Sequence, residues 1–517
     1  MRRIGQSFAV MAMCCGLGAG CGHVPVQVGP DPLTAERLAA GFHRLIDEGC
    51  YLCLRDVVRQ YAVLDPRMKE SPAVQDAAAQ AALLFVMRTK ELSVPVDDDW
   101  RSARALLDGR AAESSDYALY ASIADAMPWN AIGVGEDFVD AERGGHVWPS
   151  QQLQDDWRAE LAARWPTDEN AAYMLLAVDC EFRPQTRVDL TPVKDRYGSV
   201  PLIAYRWASC EAAGQSMLQA IIVRDPRFYE AQSALASDEL HARKFDEAEA
   251  NDLAAWQGIA RFTEAGVSAA DLSMTEEQFD DAVGLYDAVL AVVSTHRRAL
   301  LGKITALTYL GRHEDAITES HRLIDMGNWL LGDGYYWLGW NEYQLDRLPQ
   351  ALDDAQEALR FDSSARVHFL NGLVFLKRRA LPEAKQEFQK TIDSDAGACD
   401  AMLDLGQVNA ALAVWGEGAA SFANATGCYV KVEQALALEI ARLRQQEDAR
   451  SLRVAGHRAV ELNDTKDKHA AALYGAAISY ANAGDRTRAV TFATEAAGFS
   501  GYADRARALI ARLQGGA

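Results

Sequence analysis

The sequence predicts an all-α fold, a solenoid of antiparallel helix pairs. Three observations carry this expectation: an alanine recurs behind a short charged turn at a near-constant interval, each interval holds two segments with helical apolar spacing, and no segment alternates as a strand would.

The ladder comes first. "KFDEAEA" places Ala248, "QFDDAVGLY" Ala282, "GRHEDAITES" Ala316, "DRLPQALDDA" Ala351 and "ALPEAKQEF" Ala384, at spacings of 34, 34, 35 and 33 residues. Gly418 in "WGEGAASF" adds another 34, and Ala489 in "GDRTRAVTFA" lies 71 further on, close to two periods. An unrelated helical bundle has no reason to hold such a register.

Within each interval, apolar residues fall at i, i+3, i+4 and i+7 over two helix lengths separated by a short turn. In "YYWLGWNEYQLDRLPQALDDAQEALRFD", Leu338 and Gly339 belong to the first helix and Ala351, Ala355 and Ala358 to the second. Small residues permit close approach of the two, and large ones fill the gaps between units. This arrangement over 34 residues resembles the tetratricopeptide repeat, as do Gly372 with Phe388, Gly406 with Phe422 and Ala425, and Gly311. The resemblance implies a right-handed superhelix with a concave groove that binds protein segments. It extends over an array at 226–513, less regular from Val430 to Lys468. The preceding 33–225 reads as helical with longer connections; "GFHRLIDEGCYLCLRDVVRQYAVLDP" fits one unit, with Gly49 and Tyr51 in its turn. Asp65-Pro66 and Asp225-Pro226 mark helix ends, because proline stops one helix and opens the next.

Ahead of the helices, "MRRIGQSFAVMAMCCGLGAGCGH" has the layout of an export signal: Arg2 and Arg3, an apolar run from Phe8 to Leu17, then small residues. Leu17-Gly18-Ala19-Gly20-Cys21 resembles the bacterial lipobox, with the large apolar residue one position further from the cysteine than usual. We expect a signal over 1–20, lipidation at Cys21, and a Pro/Gly-rich tether over 21–32. By resemblance, Gly22 favours an outer-membrane lipoprotein facing the periplasm, and a plain secreted or periplasmic protein is the alternative. The partners expected are envelope proteins or peptide segments, with the membrane reached through the lipid.

Charge sets a further bound. With 73 acidic against 52 basic side chains and a net charge of −21, the chain repels phosphate backbones, so nucleic acid is not an expected partner. Gly-x-Ser-x-Gly, His-Glu-x-x-His and phosphate-binding glycine loops do not occur, and neither cofactor nor metal is expected. His313 and His321 read as solvated helix histidines, and Asp97, Asp98 and Asp99 as an acidic helix start. The irregular Pro128–Ser150 stretch suggests a surface insertion.

If the ladder alanines are equivalent, the groove-facing residues follow by register. They are Arg298, Leu301, Thr305 and Tyr309, then Asp333, Tyr336, Trp340 and Tyr343, then Arg366, Phe369, Leu373 and Lys377. This aromatic and aliphatic strip lacks the lysine and asparagine pattern with which some family members clamp a terminal carboxylate. An extended or helical apolar segment is therefore the expected occupant. The same aromatic side chains would alternatively serve inter-repeat packing, and the many tryptophans leave glycan binding as a further alternative.

Six cysteines remain besides Cys21 once the signal is removed, an even number that suggests bridges in an oxidising compartment. Cys399 would open the first helix of its unit and Cys428 close the second; Cys180 and Cys210 have a similar separation. The expected pairs are Cys399 with Cys428, Cys180 with Cys210 and, by elimination, Cys50 with Cys53. A bridge closing about 30 residues contributes roughly 3 to 4 kcal/mol. Cys50-x-x-Cys53 at a helix start also raises a thiol-disulfide enzyme as an alternative, although such enzymes set the motif after a strand.

Overall fold

The computed structural model describes residues 32–127, 149–182, 189–210, 214–327, 330–446 and 448–515. The signal, Cys21, all but the last residue of the tether and most of the 128–150 insertion lie outside them. The described residues form 26 helices and no strand, and the fold is a tetratricopeptide-type α-solenoid.

Helices pair in sequence order: Tyr229–His241 with Phe245–Gly258, Thr263–Thr275 with Phe279–Val292, Arg297–Tyr309 with His313–Asp325. Leu331–Gln344 with Leu348–Leu359 and Ala365–Lys377 with Leu381–Ser394 continue the array. Its core is accordingly cut into short slices. Ala351, Leu352, Ala355, Leu370 and Val374 form one, and Ala384, Phe388, Ala401, Leu405 and Val408 the next. Each slice closes only when the following pair is stacked on it, as expected of a repeat array.

The ladder residues sit at the tightest point of each pair. Ala248, Ala282, Ala316, Ala351, Ala384 and Ala489 are all 0% exposed. A Cβ added at Gly339 would stand 3.2 Å from the Ala351 carbonyl oxygen, so Gly339 and Ala351 define an approach that a larger residue would open. A second ladder, not noticed in the sequence, runs in step with the first. Five residues before each of Ala248, Ala282, Gly311's partner Ala316, Ala351, Ala384, Gly418 and Ala489, the backbone turns left-handed at Arg243, Glu277, Gly311, Asp346, Arg379, Ala413 and Gly484, with φ between 57° and 86°. The next residue's N–H closes the turn on a carbonyl five back, as Arg312 N does on Leu307 O at 2.9 Å and Asp485 N on Tyr480 O at 2.9 Å. This is the Schellman arrangement, which satisfies carbonyls left over at the first helix's end.

Towards the C-terminus the repeat gives way to two long helices, Trp415–Gln446 of 32 residues and Ala449–Asn482 of 34. They form an antiparallel hairpin, and at 1.5 Å per residue each is roughly 50 Å long. The irregular Val430–Lys468 stretch is thus the end of one long helix and the start of the next, and the 71-residue gap in the ladder is this hairpin. Cys428 lies inside Trp415–Gln446 instead of closing it, because no turn residue interrupts the helix there.

The N-terminal part builds one continuous core. Phe42, Tyr51, Leu54, Phe85 and Tyr173 share it with Phe228, Leu235, Ile259 and Phe262 of the first array helices. Its centre is helix Pro72–Glu91, buried on every side from Ala81 to Lys90. Gly49 makes the turn before helix Tyr51–Ala62 at φ 71°, and a Cβ there would meet Leu202 Cβ at 2.9 Å. Tyr51 is not part of that turn: it is the first helical residue and 2% exposed, since its ring packs on Phe85 in the core.

The left-handed turns yield a paired prediction. Ala413 holds φ 57° with a Cβ and Gly484 holds φ 86° without one. Ala413→Gly should raise stability by about 0.5–1 kcal/mol and Gly484→Ala lower it by about 1 kcal/mol, read from denaturant midpoints. Equal shifts of one sign would contradict this account.

Candidate functional site

A run of aromatic rings crosses three successive units, mostly on their first helices. Phe279 stacks on Tyr309 at 5.0 Å, and Tyr309 meets Trp337 edge-on at 6.5 Å. Trp337 contacts Tyr336 at 5.1 Å, followed by Trp340 at 6.3 Å and Tyr343 at 6.2 Å. Tyr336, Trp340 and Tyr343 pack on the Ala351–Leu370 slice with one side and remain half-buried, so they serve both inter-repeat packing and an open face. Tyr309 is 61% exposed. Further along, Phe369 and Leu373 pack on the next slice, with Phe369 5.9 Å from Phe388, and Leu301 packs on the slice before. Thr305 donates to the Leu301 carbonyl and faces inward along its own helix. Phe279 and Trp337 complete the run without having been read as groove residues; Phe279 opens a second helix, outside the register that selected first helices.

Every basic candidate on this face is engaged by a carboxylate of the chain itself. Arg298 pairs with Glu264 at 3.0 Å and Asp271 at 3.2 Å. Arg366 holds Asp333 at 2.7 Å and Asp362 at 2.9 Å while lying over the Tyr336 ring at 4.8 Å. Lys377 holds Asp346 at 2.8 Å and lies 4.7 Å above Tyr343. Arg366 and Lys377 thus flatten against aromatic faces and add apolar stem, and the charge of all three is already answered.

The long hairpin passes over this face. A cavity of about 420 Å³ is walled by Arg366 and Phe369 on one side and by Tyr429, Asp464 and Lys468 of the hairpin on the other. Tyr429 donates to Asp400 at 2.6 Å, and Lys468 bridges Asp400 at 3.0 Å and Asp464 at 3.1 Å. Burial, with the Asp400 charge beside it, pushes the Asp404 carboxyl up to about 7.

The hairpin tip then reaches back to the start of the array. Arg450 contacts Glu276 at 2.5 Å and Asp246 at 3.1 Å and covers the Phe245 ring at 4.8 Å. Arg453 takes the other Glu276 oxygen at 2.7 Å, and His457 pairs with Glu277 at 2.5 Å. The side chains of Glu276 and Arg450 are 2% and 6% exposed, so this is a desolvated cluster in which losing one partner strands a charge. The hairpin therefore latches on turns about 180 residues upstream.

Two disulfides are fully described. Cys50 joins Cys53 with Cα atoms 5.0 Å apart, and Cys399 joins Cys428 at 5.5 Å, at the edge of the hairpin cavity. Cys180 is disulfide-bonded, and the Cys210 side chain lies outside the described residues. Cys50 caps helix Tyr51–Ala62, its Sγ accepting from Cys53 N at 3.1 Å. Both cysteines are 0% exposed, which denies an incoming thiolate the access that exchange requires. Asp225 stands close enough to form a three-ligand group with these sulfurs, but while they are bonded to each other they offer no thiolate to a metal. Asp97 caps helix Asp98–Ala111 through Trp100 N, with Asp98 and Asp99 in its first turn. His321 is exposed, whereas His313 is half-buried and bonded to Asn341 at 2.8 Å, because Asn341 is a buried polar group of the next pair that needs the partner.

No family model matches the chain, and no curated protein matches it. Solved structures do. MamA is 23% identical over 32% of this chain and 96% of its own, with a TM-score of 0.29. A tetratricopeptide repeat protein from Parabacteroides merdae is 14% identical over 55% of this chain and 98% of its own, with a TM-score of 0.35. The C-terminal part of a TPR repeat-containing protein from Cytophaga hutchinsonii is 13% identical over 53% and 98%, with a TM-score of 0.38.

The latch is open to test by charge reversal. Glu276→Arg should release the hairpin tip and enlarge the radius of gyration in small-angle scattering, and adding Arg450→Glu with Arg453→Glu should restore it. A scattering profile of folded Glu276→Arg identical to wild type would show that the cluster does not hold the hairpin.

Proposed function

We propose that the chain is a binding scaffold that holds an apolar, extended or helical protein segment between its aromatic strip and the hairpin. The observation that carries this reading is the continuous ring run from Phe279 to Tyr343, half-open to solvent while its cations are already paired. A face of rigid aromatics offers large contact area at low entropic cost. With no unengaged cation among the candidates, it favours an apolar segment over an acidic tail. In the test, immobilised wild type is probed with uncharged apolar peptides and with acidic C-terminal peptides. Tyr336→Ala with Trp340→Ala should weaken the apolar peptides at least tenfold with the circular dichroism spectrum intact; unchanged affinity, or preference for the acidic peptides, would refute the groove.

We further propose that this scaffold works in a bacterial envelope, anchored by lipid at Cys21 and facing the periplasm from the outer membrane. The lipobox-like Leu17–Cys21 stretch supports this reading, and disulfides at Cys50–Cys53 and Cys399–Cys428 suit an oxidising compartment. Cys21→Ala should move the protein from the detergent-soluble membrane fraction to the soluble fraction. Wild type already found in the soluble fraction without acyl mass on its N-terminus would end the proposal.

A further inference from the structure

A second cavity, of about 520 Å³, opens where the N-terminal core meets the first array pair. Its apolar wall includes Leu92, Tyr205 and Phe262, and among the described residues every charged side chain on it is a carboxylate: Glu91, Glu230, Asp238 and Glu264.

The two deepest carboxylates differ in how they are satisfied. Glu91 is answered from behind the wall: Arg88 pairs with it, Arg206 lies at 3.5 Å, and the Tyr173 hydroxyl donates to it at 2.7 Å. Glu230 is answered on one oxygen only. Its Oε1 accepts from Tyr51 N at 2.7 Å and faces Arg88 at 3.4 Å. Its Oε2 is buried with no hydrogen-bond partner among the described residues, although the side chain is 0% exposed. Ser93 Oγ, on the same wall, is also buried and unpartnered. A buried acceptor left open costs about 1–3 kcal/mol, and more when charged. Arg88 cannot turn to fill the gap, because its guanidinium is clamped between the two carboxylates and stacked 4.2 Å from the Tyr205 ring.

We propose that this cavity binds a small organic cation with N–H donors, a primary alkylammonium, whose nitrogen donates to Glu230 Oε2 and Ser93 Oγ while its chain lies against Tyr205, Phe262 and Leu92. Four carboxylates, with no basic side chain on the wall among the described residues, disfavour an anion. A divalent metal is disfavoured because it needs about six oxygen ligands, and the apolar side of the cavity supplies none. An ammonium joined to a short apolar chain matches both halves, and the aromatic rings add attraction for the cation. The site meets the aromatic face only through Glu264, the partner of Arg298, and its test uses Glu230 and Ala234, so either reading can fail alone.

Isothermal titration of the full chain with n-butylammonium, tetramethylammonium and butyrate tests the assignment. Wild type should bind n-butylammonium, with tetramethylammonium at least tenfold weaker for want of a donor and butyrate without effect. Glu230→Gln, which keeps an acceptor for Tyr51 N, should weaken n-butylammonium at least tenfold. If that variant does not fold, Ala234→Phe decides instead: it fills the cavity from helix Tyr229–His241, one turn from Glu230, while leaving Arg88, Glu91 and Glu230 themselves unsubstituted, and should abolish binding. No heat with wild type at millimolar n-butylammonium, equal binding of tetramethylammonium, or undiminished binding to a folded variant would each overturn the proposal and leave a solvent-filled cavity.

Discussion

Within each repeat, two helices approach until only a glycine or alanine fits between their backbones, and a left-handed residue five positions earlier turns the chain to bring them there. The rest of the array depends on this contact. It fixes how far each pair opens, hence how the next pair seats, hence where the aromatic side chains of successive first helices line up. The turn tolerates arginine, glutamate, aspartate or alanine at a positive φ in five of seven places, which shows that the hydrogen bonds and the buried contact behind it outweigh about 1–2 kcal/mol of local strain.

That division explains what was legible. The alanine ladder could be read directly because burial against a backbone leaves no other choice at Ala351 or Ala384. The turn ladder in step with it stayed hidden because Arg379 and Ala413 do not look like turn residues; only Gly311 and Gly484 carry the usual signal. The hairpin left one trace, the 71-residue gap after Gly418, but a missing turn is a weaker signal than a present one. Register was enough to propose a strip on the first helices, whereas the pairing of Arg366 with Asp333, 33 residues away, depends on stacking that no local pattern reveals. The Arg88, Glu91 and Glu230 cluster was invisible for the same reason: its members come from helices far apart in sequence, and each reads locally as a solvated charge.

Acidic excess and intramolecular pairing act together on the proposed binding face. Arg298, Arg366 and Lys377 each face carboxylates of the array, so their charges stiffen the superhelix between units. Such exposed pairs contribute little individually; their effect here is to remove cations from the face a partner would meet. What remains for recognition is shape and apolar area, with acidic groups such as Asp400 and Asp404 at its far end.

The latch formed by Arg450, Arg453 and Glu276 changes the physics of the array as well as its outline. An open solenoid has two ends, and a disturbance at one fades with distance, because each unit feels only its neighbours. Fastening the hairpin tip to the first pairs closes a loop through the units between them, so loosening any one of those units strains the fastening and is felt on the far side of the loop. For a long partner without a free terminus near its binding segment, entry then waits on the fastening. The observed association rate would rise with partner concentration only until it reached the rate of opening, a plateau that belongs to the scaffold and not to the partner.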